Sequence, residues 1–358
     1  EKFGIWPETH EWVYGRRWLE DFIEAVLRSP SIEPVRYADF HAAHPCRGVV
    51  YLPTVSYAEM GEWTLPPRAA ARYAQLVDRS RAETTYAQDK PFIRGGHWRN
   101  FFSRYPESNW MHKRVAAASS RFHSLPRASR TAAMRGDLHL AQANDAYWHG
   151  LFGGIYLPHL RRQVYAALAR LEGALDAASP RSGVAREDID LDGRDEVVLA
   201  NRALVAIVRP HDLGAVCELS HYGLAHNFAD SLARRAEHYH DRMRTSPVAP
   251  PAGAPASIHD RVAFRTDIVS DDLAVDDECR AMFTDAWTPA GGIPAAARYD
   301  STTLHRGSVS LRGRADDASI LKNIRLNSDG LVVRYDVSSA GVSEGELAVT
   351  LDLSLIHI

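Results

Sequence analysis

The feature that most limits how this chain can fold is a change in the spacing of its apolar residues near residue 180. From about residue 98 to 178, apolar side chains recur at three- and four-residue steps in a segment rich in alanine and arginine, which favour helix. Beyond residue 188 the chain breaks into short apolar runs separated by Gly, Asp, Asn and Pro, namely 197–199, 203–208 and 331–337. We therefore predict a helical domain over residues 96–178 and a mostly antiparallel β-sandwich over residues 188–358.

The first 95 residues show a third pattern, in which helix and strand signals alternate. Apolar residues over 11–28 follow helical spacing, which predicts an amphipathic helix with one face packed against a core. A second helix is predicted over 67–79. Between them, residues 48–53 are apolar and β-branched, which predicts a buried strand. A helix, a buried strand and a helix in succession indicate part of an α/β barrel or a layered sheet.

Length, charge and cysteine content exclude several classes of protein. The 358 residues, 45% of them hydrophobic, suffice for two globular cores. A net charge of -3 without a basic stripe argues against nucleic-acid binding, and no apolar run is long enough to predict a membrane-spanning helix. Cys46, Cys217 and Cys279 lie far apart, so we expect free thiols in a reducing cytoplasm.

A dense group of polar and aromatic side chains is formed by Asn144, Asp145, Tyr147, Trp148 and His149. Burying such side chains is costly unless they have partners or face a pocket. The glycines that follow would permit backbone turns and the close approach of a ligand. The segment is therefore a candidate ligand site, and the simpler alternative is a polar helix end.

The first seven residues, Glu1 to Pro7, combine a carboxylate, a glycine and Trp6. Carboxylates can perform acid–base chemistry and accept hydrogen bonds from sugar hydroxyls, and a flat indole can stack on a pyranose ring. This combination suits a carbohydrate site. The alternative is a loop that enters a helix and carries a buried tryptophan.

Both segments resemble sequence blocks of glycoside hydrolase family 57. Glu1 to Pro7 resembles the end of the block Asp-Asp-Gly-Glu-Lys-Phe-Gly, and Asn144 to Gly154 is similar to the block Asn-Asp-x-Tyr-Trp-His-Gly-x-Phe-Gly-Gly. Two further stretches resemble the 4-α-glucanotransferase and α-amylase branch of that family: Tyr51–Thr54 with Glu59–Trp63, and Arg99–Phe101 with Tyr105–Asn109. The blocks follow the family's order over residues 1 to about 170, and the β-rich remainder matches more loosely.

The resemblance implies an α/β plus β fold, with an incomplete (β/α)7 barrel, a helical domain and a C-terminal β-sandwich. It implies a retaining mechanism on α-1,4-glucans in which no metal takes part. A retaining mechanism needs two carboxyl groups about 5 to 5.5 Å apart. In the family these are a glutamate on an earlier strand and the aspartate just before Gly-Glu-Lys-Phe-Gly, and neither is present here. We therefore expect residues 1–95 to be the C-terminal remnant of the barrel in a fragment of a longer protein, inactive by itself.

Carried over position by position, the resemblance implies five substrate-binding residues. Glu1 would line the donor subsite, and Trp6 and Trp148 would stack on sugar rings. Asp145 would hold sugar hydroxyls and orient the catalytic pair, with His149 as its neighbour. The sequence departs from the family pattern at Glu8, His10 and His97. These departures leave the shape of the outer subsites open.

An acidic turn over residues 188–196 is a candidate metal site. Asp188, Asp190 and Asp192 alternate and are followed by a glycine, as at the start of an EF-hand loop, where oxygen ligands wrap a Ca2+ ion. Leu199 stands at the position of the last acidic ligand of an EF-hand. A structural Ca2+ and a plain acidic surface turn both remain open.

The function expected from the resemblance is 4-α-glucanotransferase activity on maltooligosaccharides or starch. The alternatives are an α-amylase-type hydrolase or, for this chain alone, a non-catalytic glucan-binding or structural module. We expect that the chemistry needs no cofactor and that the binding partner is an α-1,4-glucan or a maltooligosaccharide, not a nucleic acid or a membrane. A homodimer is one form of assembly that we consider, and the expected location is the cytoplasm.

Overall fold

A computed structural model describes residues 7–52, 58–149, 153–181, 183–237, 240, 269–277, 280–328, 330–339 and 344–354. The chain divides into two compact units, residues 1–54 with 247–265 and residues 55–246 with 266–358. The predicted sugar-binding residues Glu1 and Trp6 lie outside the described residues. The same is true of Cys279 and of the last four residues of the chain.

The described part of the first unit is formed by short helices, which are α1 (Pro7–His10) with a π-helical turn (Glu11–Gly15), α2 (Trp18–Arg28) and α3 (Tyr37–Ala43). The single helix predicted over residues 11–28 is interrupted because Arg17 has a φ of 58°, in the left-handed region. The core contact predicted for this helix is wrong, since α2 contains no buried residue. Its amphipathic pattern produces an exposed apolar face.

The buried strand predicted near residue 50 is absent. Residues 48–52 form neither helix nor strand, and Val49 and Tyr51 are 88% and 94% exposed. An apolar run is buried as a strand only where neighbouring strands accept its backbone hydrogen bonds and cover its side chains. Within the described ranges nothing pairs with this run, so this part of the predicted barrel is not confirmed.

The second unit begins with a helical region. Its helices are α4 (Ala58–Trp63), α5 (Pro67–Ala82), α6 (Tyr86–Asp89), α7 (Trp98–Arg104), α8 (Pro106–Ser124), α9 (Ala132–Ala141) and α10 (Pro158–Ala178). Prolines at the starts of α5, α8 and α10 suit the first helical turn, where a backbone N–H has no helical partner. No described helix is both long enough and apolar enough to cross a lipid bilayer.

The apolar stripes predicted for the long helices are confirmed as a core. Met111, Val115 and Ala118 on α8 are buried together with Leu168 and Leu171 on α10. Burying one such leucine fully contributes about 1.5 to 3 kcal/mol. The helices therefore share one interior along their facing stripes.

Antiparallel strands follow the helices, as predicted. They are β1 (Val184–Glu187), β2 (Glu196–Ala200), β3 (Leu204–Arg209), β4 (Ala215–His221), β5 (His226–Asn227), β6 (Met282–Pro289), β7 (Ala295–Ala296), β8 (Arg298–His305), β9 (Ser308–Ala315), β10 (Ala318–Leu326), β11 (Leu331–Ser339) and β12 (Gly345–Leu351). The first sheet has the order β1-β2-β3-β4-β6-β12, with β5 beside β4 and β7 beside β6, and the second has the order β11-β10-β9-β8.

Strands β2 and β3 are buried on both faces. Val198, Val205 and Ile207 belong to the helical core. The alternate side chains, such as Leu199, pack with Val309, Leu311 and Ile324 of the second sheet. The order of layers is therefore helices, first sheet and second sheet, which explains why these runs are apolar at every position rather than at alternate ones.

A buried charged network joins the helices to the first sheet. Arg114 on α8 donates to Glu172 on α10 at 2.8 Å and to Glu218 on β4 at 2.8 Å. Arg181 also donates to Glu172, at 3.0 Å. Because these groups are desolvated, the loss of one partner would leave an uncompensated charge in the interior.

Candidate functional site

The segment singled out by its polar and aromatic residues begins as a 3-10 turn, Asn144–Tyr147, after α9. Tyr147 is buried, and its hydroxyl donates to the carbonyl of Ala141. Ser108 on α8 donates to the carbonyl of Tyr147. Burial raises the pKa of Tyr147, so it remains a neutral hydrogen-bond donor that fixes the turn. Asp145, in the same turn, is exposed.

Trp148 is half-buried and stacks on Trp63, the last residue of α4. Their ring centroids are 5.5 Å apart, with an angle of 20° between the planes. The ring of His149 also faces Trp63, at 5.8 Å. The structure thus brings two tryptophans that are distant in sequence into one aromatic surface, and offset stacking of this kind fixes the orientation of the rings.

His149 is only 2% exposed and takes part in a buried hydrogen-bond network. Its Nε2 atom lies 2.7 Å from the hydroxyl of Tyr105. That hydroxyl donates to Oε1 of Glu237, which also accepts from the hydroxyl of Tyr156. Arg104 donates to the other oxygen of Glu237. This buried carboxylate is therefore neutralised by one cation and satisfied by two hydroxyls.

The network assigns the protons on Tyr105 and His149. Tyr105 has a single hydroxyl hydrogen, which Glu237 accepts, so Nε2 of His149 must donate to the Tyr105 oxygen. Burial, assisted by the negative charge of Glu237, raises the pKa of Tyr105 and keeps the phenol protonated. His149 is therefore a buried member of this network, next in sequence to the partly exposed Trp148.

Glu237 belongs to a loop that follows β5, and this loop is joined to the helices by an ion pair and by hydrogen bonds. Asp230 pairs with Arg161 of α10 at 2.8 Å. The backbone N–H of Ala233 donates to Glu107 of α8 at 3.1 Å. The sequence offered no local signal for Glu237, because it lies among charged residues that are typical of a solvated segment. Its role depends on a partner more than 130 residues away.

The predicted sugar-binding residues therefore occupy different environments. Asp145 is exposed, Trp148 is half-buried and His149 is buried. The structure adds Trp63 to the aromatic surface and Glu237 with Tyr105 to its support.

The acidic turn between β1 and β2 brings three carboxylates together. One oxygen each from Asp188, Asp190 and Glu196 lies within 4.8 Å of the others. Asp192, predicted as a ligand, is outside this group, with 43% of its side chain exposed and Oδ1 accepting from the N–H of Arg194. The carboxylate of Asp188 accepts from the N–H groups of Asp192 and Gly193, each at 3.1 Å, which closes the turn.

Glu196 is the least solvated of these acids, because its side chain is 0% exposed. Its Oε2 atom accepts from the N–H of Ile189 at 2.9 Å. Its Oε1 atom has no hydrogen-bond partner among the described residues, and it lies 3.9 Å from Nε2 of His211 and 4.0 Å from Nε of Arg209. Burial raises the pKa of Glu196 to about 7, and the charge of Asp190 adds to the effect.

Comparison with known proteins follows the same division into helical and sheet regions. Residues 96–175 match the family model described as the middle domain of alpha-amylase/4-alpha-glucanotransferase. Residues 188–358 match the model of the C-terminal domain of the same proteins.

Curated relatives agree with these matches. The chain is 38% identical over 360 residues to a 4-alpha-glucanotransferase of Thermococcus kodakarensis, covering 95% of this chain and 53% of the relative. It is 35% identical over 378 residues to an alpha-amylase of Pyrococcus abyssi, covering 100% of this chain and 56% of that protein.

A solved structure extends the likeness to the fold. The crystal structure of 4-alpha-glucanotransferase from Thermococcus litoralis superposes with a TM-score of 0.73 at 32% identity, covering 99% of this chain and 54% of that one. The chain thus spans about half the length of the proteins it matches. Its helical and sheet regions, the order of its sequence blocks and these relatives agree, and the chain belongs to the α-amylase/4-α-glucanotransferase branch of glycoside hydrolase family 57.

Proposed function

We propose that the whole protein is a retaining 4-α-glucanotransferase and that this chain contributes part of its glucan-binding surface. Relatives named 4-alpha-glucanotransferase, at 38 and 40% identity, support the activity. The chain covers 53% and 42% of these two proteins. We therefore propose that the two catalytic carboxyl groups belong to the remainder of the protein, that residues 1–95 complete its barrel, and that the 358 residues alone are inactive.

The observation that carries the binding role is the aromatic surface formed by Trp63 and Trp148. Both indoles are partly exposed, and each is held in one orientation by the other. A pyranose ring presents C–H groups to such a surface, whereas its hydroxyls need polar partners. The exposed carboxylate of Asp145, three residues earlier, is available to accept hydrogen bonds from those hydroxyls.

In a retaining mechanism one carboxylate attacks the anomeric carbon while a second protonates the leaving oxygen, and the covalent glycosyl-enzyme is then released by an acceptor. When the acceptor is a sugar hydroxyl the reaction is transfer, and when it is water the reaction is hydrolysis. An aromatic surface that holds a second glucan and excludes water favours transfer. Hydrolysis is the second candidate, because relatives named alpha-amylase match this chain at 34 and 35% identity.

The test uses the protein encoded by the whole gene, incubated with maltotriose, and analyses the products by chromatography. Transfer predicts a ladder of longer oligosaccharides, and glucose with maltose alone would establish hydrolysis instead. Trp148→Ala should weaken glucan binding by about 1 to 3 kcal/mol, while Trp148→Phe retains a stacking ring and most of the affinity. Equal affinities for the three proteins would show that Trp148 only fills space, and sugar release by the 358-residue chain would contradict its inactivity.

A further inference from the structure

We propose that the turn between β1 and β2 binds one calcium ion through the carboxylates of Asp188, Asp190 and Glu196. One oxygen from each lies within 4.8 Å of the others. Because Ca2+ binds oxygen at about 2.3 to 2.6 Å, two ligands on opposite sides of one ion are separated by about twice that distance. A single ion can therefore reach all three carboxylates with little movement of the turn.

The buried end of Glu196 is the observation that points to a ligand. Its Oε1 atom accepts no hydrogen bond within the described part of the chain, although its side chain is fully buried. Oδ1 of Asp190, in the same group, is also buried and has no hydrogen-bond partner among the residues that the structure describes. Buried carboxylate oxygens without partners are costly, and a cation placed among them would satisfy both atoms.

The charges of the group fit a divalent ion. Three carboxylates face one another, and Arg209, whose guanidinium lies 3.1 Å from Asp190, compensates one of them. Nε2 of His211 lies 3.9 Å from Oε1 of Glu196, at the edge of the group. The carboxylates outnumber the guanidinium that pairs with them, and a divalent cation would offset the remaining negative charge.

The chemistry of the ligands favours calcium over other metals. All three are hard carboxylate oxygens, whereas zinc and later transition metals prefer nitrogen and sulfur. Mg2+ demands near-ideal octahedral geometry and gives up its water reluctantly, while Ca2+ accepts irregular sets of six to eight oxygens. An irregular turn with some of its acid groups partly open to water suits Ca2+, with water completing the coordination.

The ion would fasten the turn to the interior of the molecule. Ile189, between two of the ligands, is buried in the core formed by α8, α10 and the first sheet. Arg209, at the end of β3, contacts both the acidic group and the ring of Trp110 on α8, 4.4 Å away. Binding of Ca2+ should therefore stabilise the junction between the helices and the first sheet.

The test starts from the 358-residue chain freed of metal with EDTA and then dialysed into chelator-free buffer. Titration with Ca2+ should give saturable binding of one ion by calorimetry and a rise in melting temperature. Glu196→Gln should weaken Ca2+ binding by at least about tenfold and abolish the rise. The matched control is Asp195→Asn, which removes the same charge from an exposed neighbour and should preserve both effects.

Three results would overturn the proposal. The first is a wild-type chain without binding heat and without a change in melting temperature. The second is an equal loss of binding in Asp195→Asn and Glu196→Gln, because that would indicate general attraction to an acidic surface. The third is Mg2+ or Zn2+ binding that Ca2+ does not displace. Should circular dichroism show that Glu196→Gln is unfolded, Asp190→Asn replaces it under the same criteria.

Discussion

Among single residues, the buried carboxylate of Glu172 shows how the helices depend on charge. Burial alone would raise its pKa, but the guanidiniums of Arg114 and Arg181 outweigh that effect and lower the pKa to about 2. The ordinary value is 4.5, so the folded chain holds Glu172 ionised at pH values where the unfolded chain protonates it. The ion pairs of Glu172 therefore contribute stability above pH 4.5 that is lost as the pH falls towards 2.

This linkage predicts a specific acid sensitivity. A depression from 4.5 to about 2 corresponds to about 3 kcal/mol of unfolding free energy that disappears across that range. Glu172→Gln should lower stability at pH 7 and also make the decline towards pH 3 shallower, as measured by urea unfolding at a series of pH values. The control Glu346→Gln alters an exposed carboxylate and should leave the slope unchanged. An unchanged slope in Glu172→Gln would mean that other acids govern the acid response.

Residues that belong to a local sequence pattern could be singled out, and isolated residues whose role depends on a distant partner could not. Asp145, Trp148 and His149 form a recognisable local pattern, and Asp188 with Asp190 another. Glu196 lies within the acidic turn but stands outside the alternation of aspartates, and only the fold directs it back to Asp188 and Asp190. Glu237 and Lys322 gave no signal, because their partners, such as Asp285 at 2.8 Å from Lys322, are distant in the chain.

For helices and strands, the outcome of a sequence pattern depends on what covers it. The stripe on α10 and the runs of β2 and β3 were predicted correctly because neighbouring elements of the same chain bury them. The run at residues 48–52 has similar composition but no described strand beside it, and it is exposed. Periodicity reports which side chains prefer burial, whereas the neighbours decide whether burial occurs.

The loop after β5 provides a test of how elements are fastened to one another. Glu237→Gln keeps the shape of the side chain but replaces a charged acceptor that serves Arg104, Tyr105 and Tyr156. Hydrogen bonds to a charged group are worth about 1.5 to 3 kcal/mol, so local opening should become easier by at least about tenfold. Hydrogen–deuterium exchange read by mass spectrometry should show faster exchange over residues 228–237.

The control for this prediction is Asp137→Asn, which removes a partly exposed ion pair with Arg170. Surface pairs contribute little, so exchange in the loop after β5 should not change in this variant. Equal exchange in the Glu237→Gln variant and the wild type would show that the ties at Asp230 and Ala233 suffice to hold the loop.

At the scale of the whole molecule, the two compact units differ in how much apolar surface they bury. The second contains the helical core and the cores between the sheets. In the described part of the first, α2 and residues 48–52 contain large exposed apolar side chains. Exposed apolar side chains that cluster, as Trp18 and Phe22 do on α2, promote association with other apolar surfaces.

The exposed face of α2 should therefore bind hydrophobic dye and drive self-association of the 358-residue chain. Trp18 and Phe22 stack on each other along this face, with ring centroids 5.5 Å apart, so the double variant Trp18→Ser with Phe22→Lys removes its centre. We expect lower dye fluorescence and less association by sedimentation velocity in that variant. Leu224→Lys, which alters a 63% exposed leucine in the other unit, is the matched control and should change neither. If the two variants behaved alike, the face of α2 would contribute no more to self-association than a single exposed leucine. Association would then have to arise from another surface.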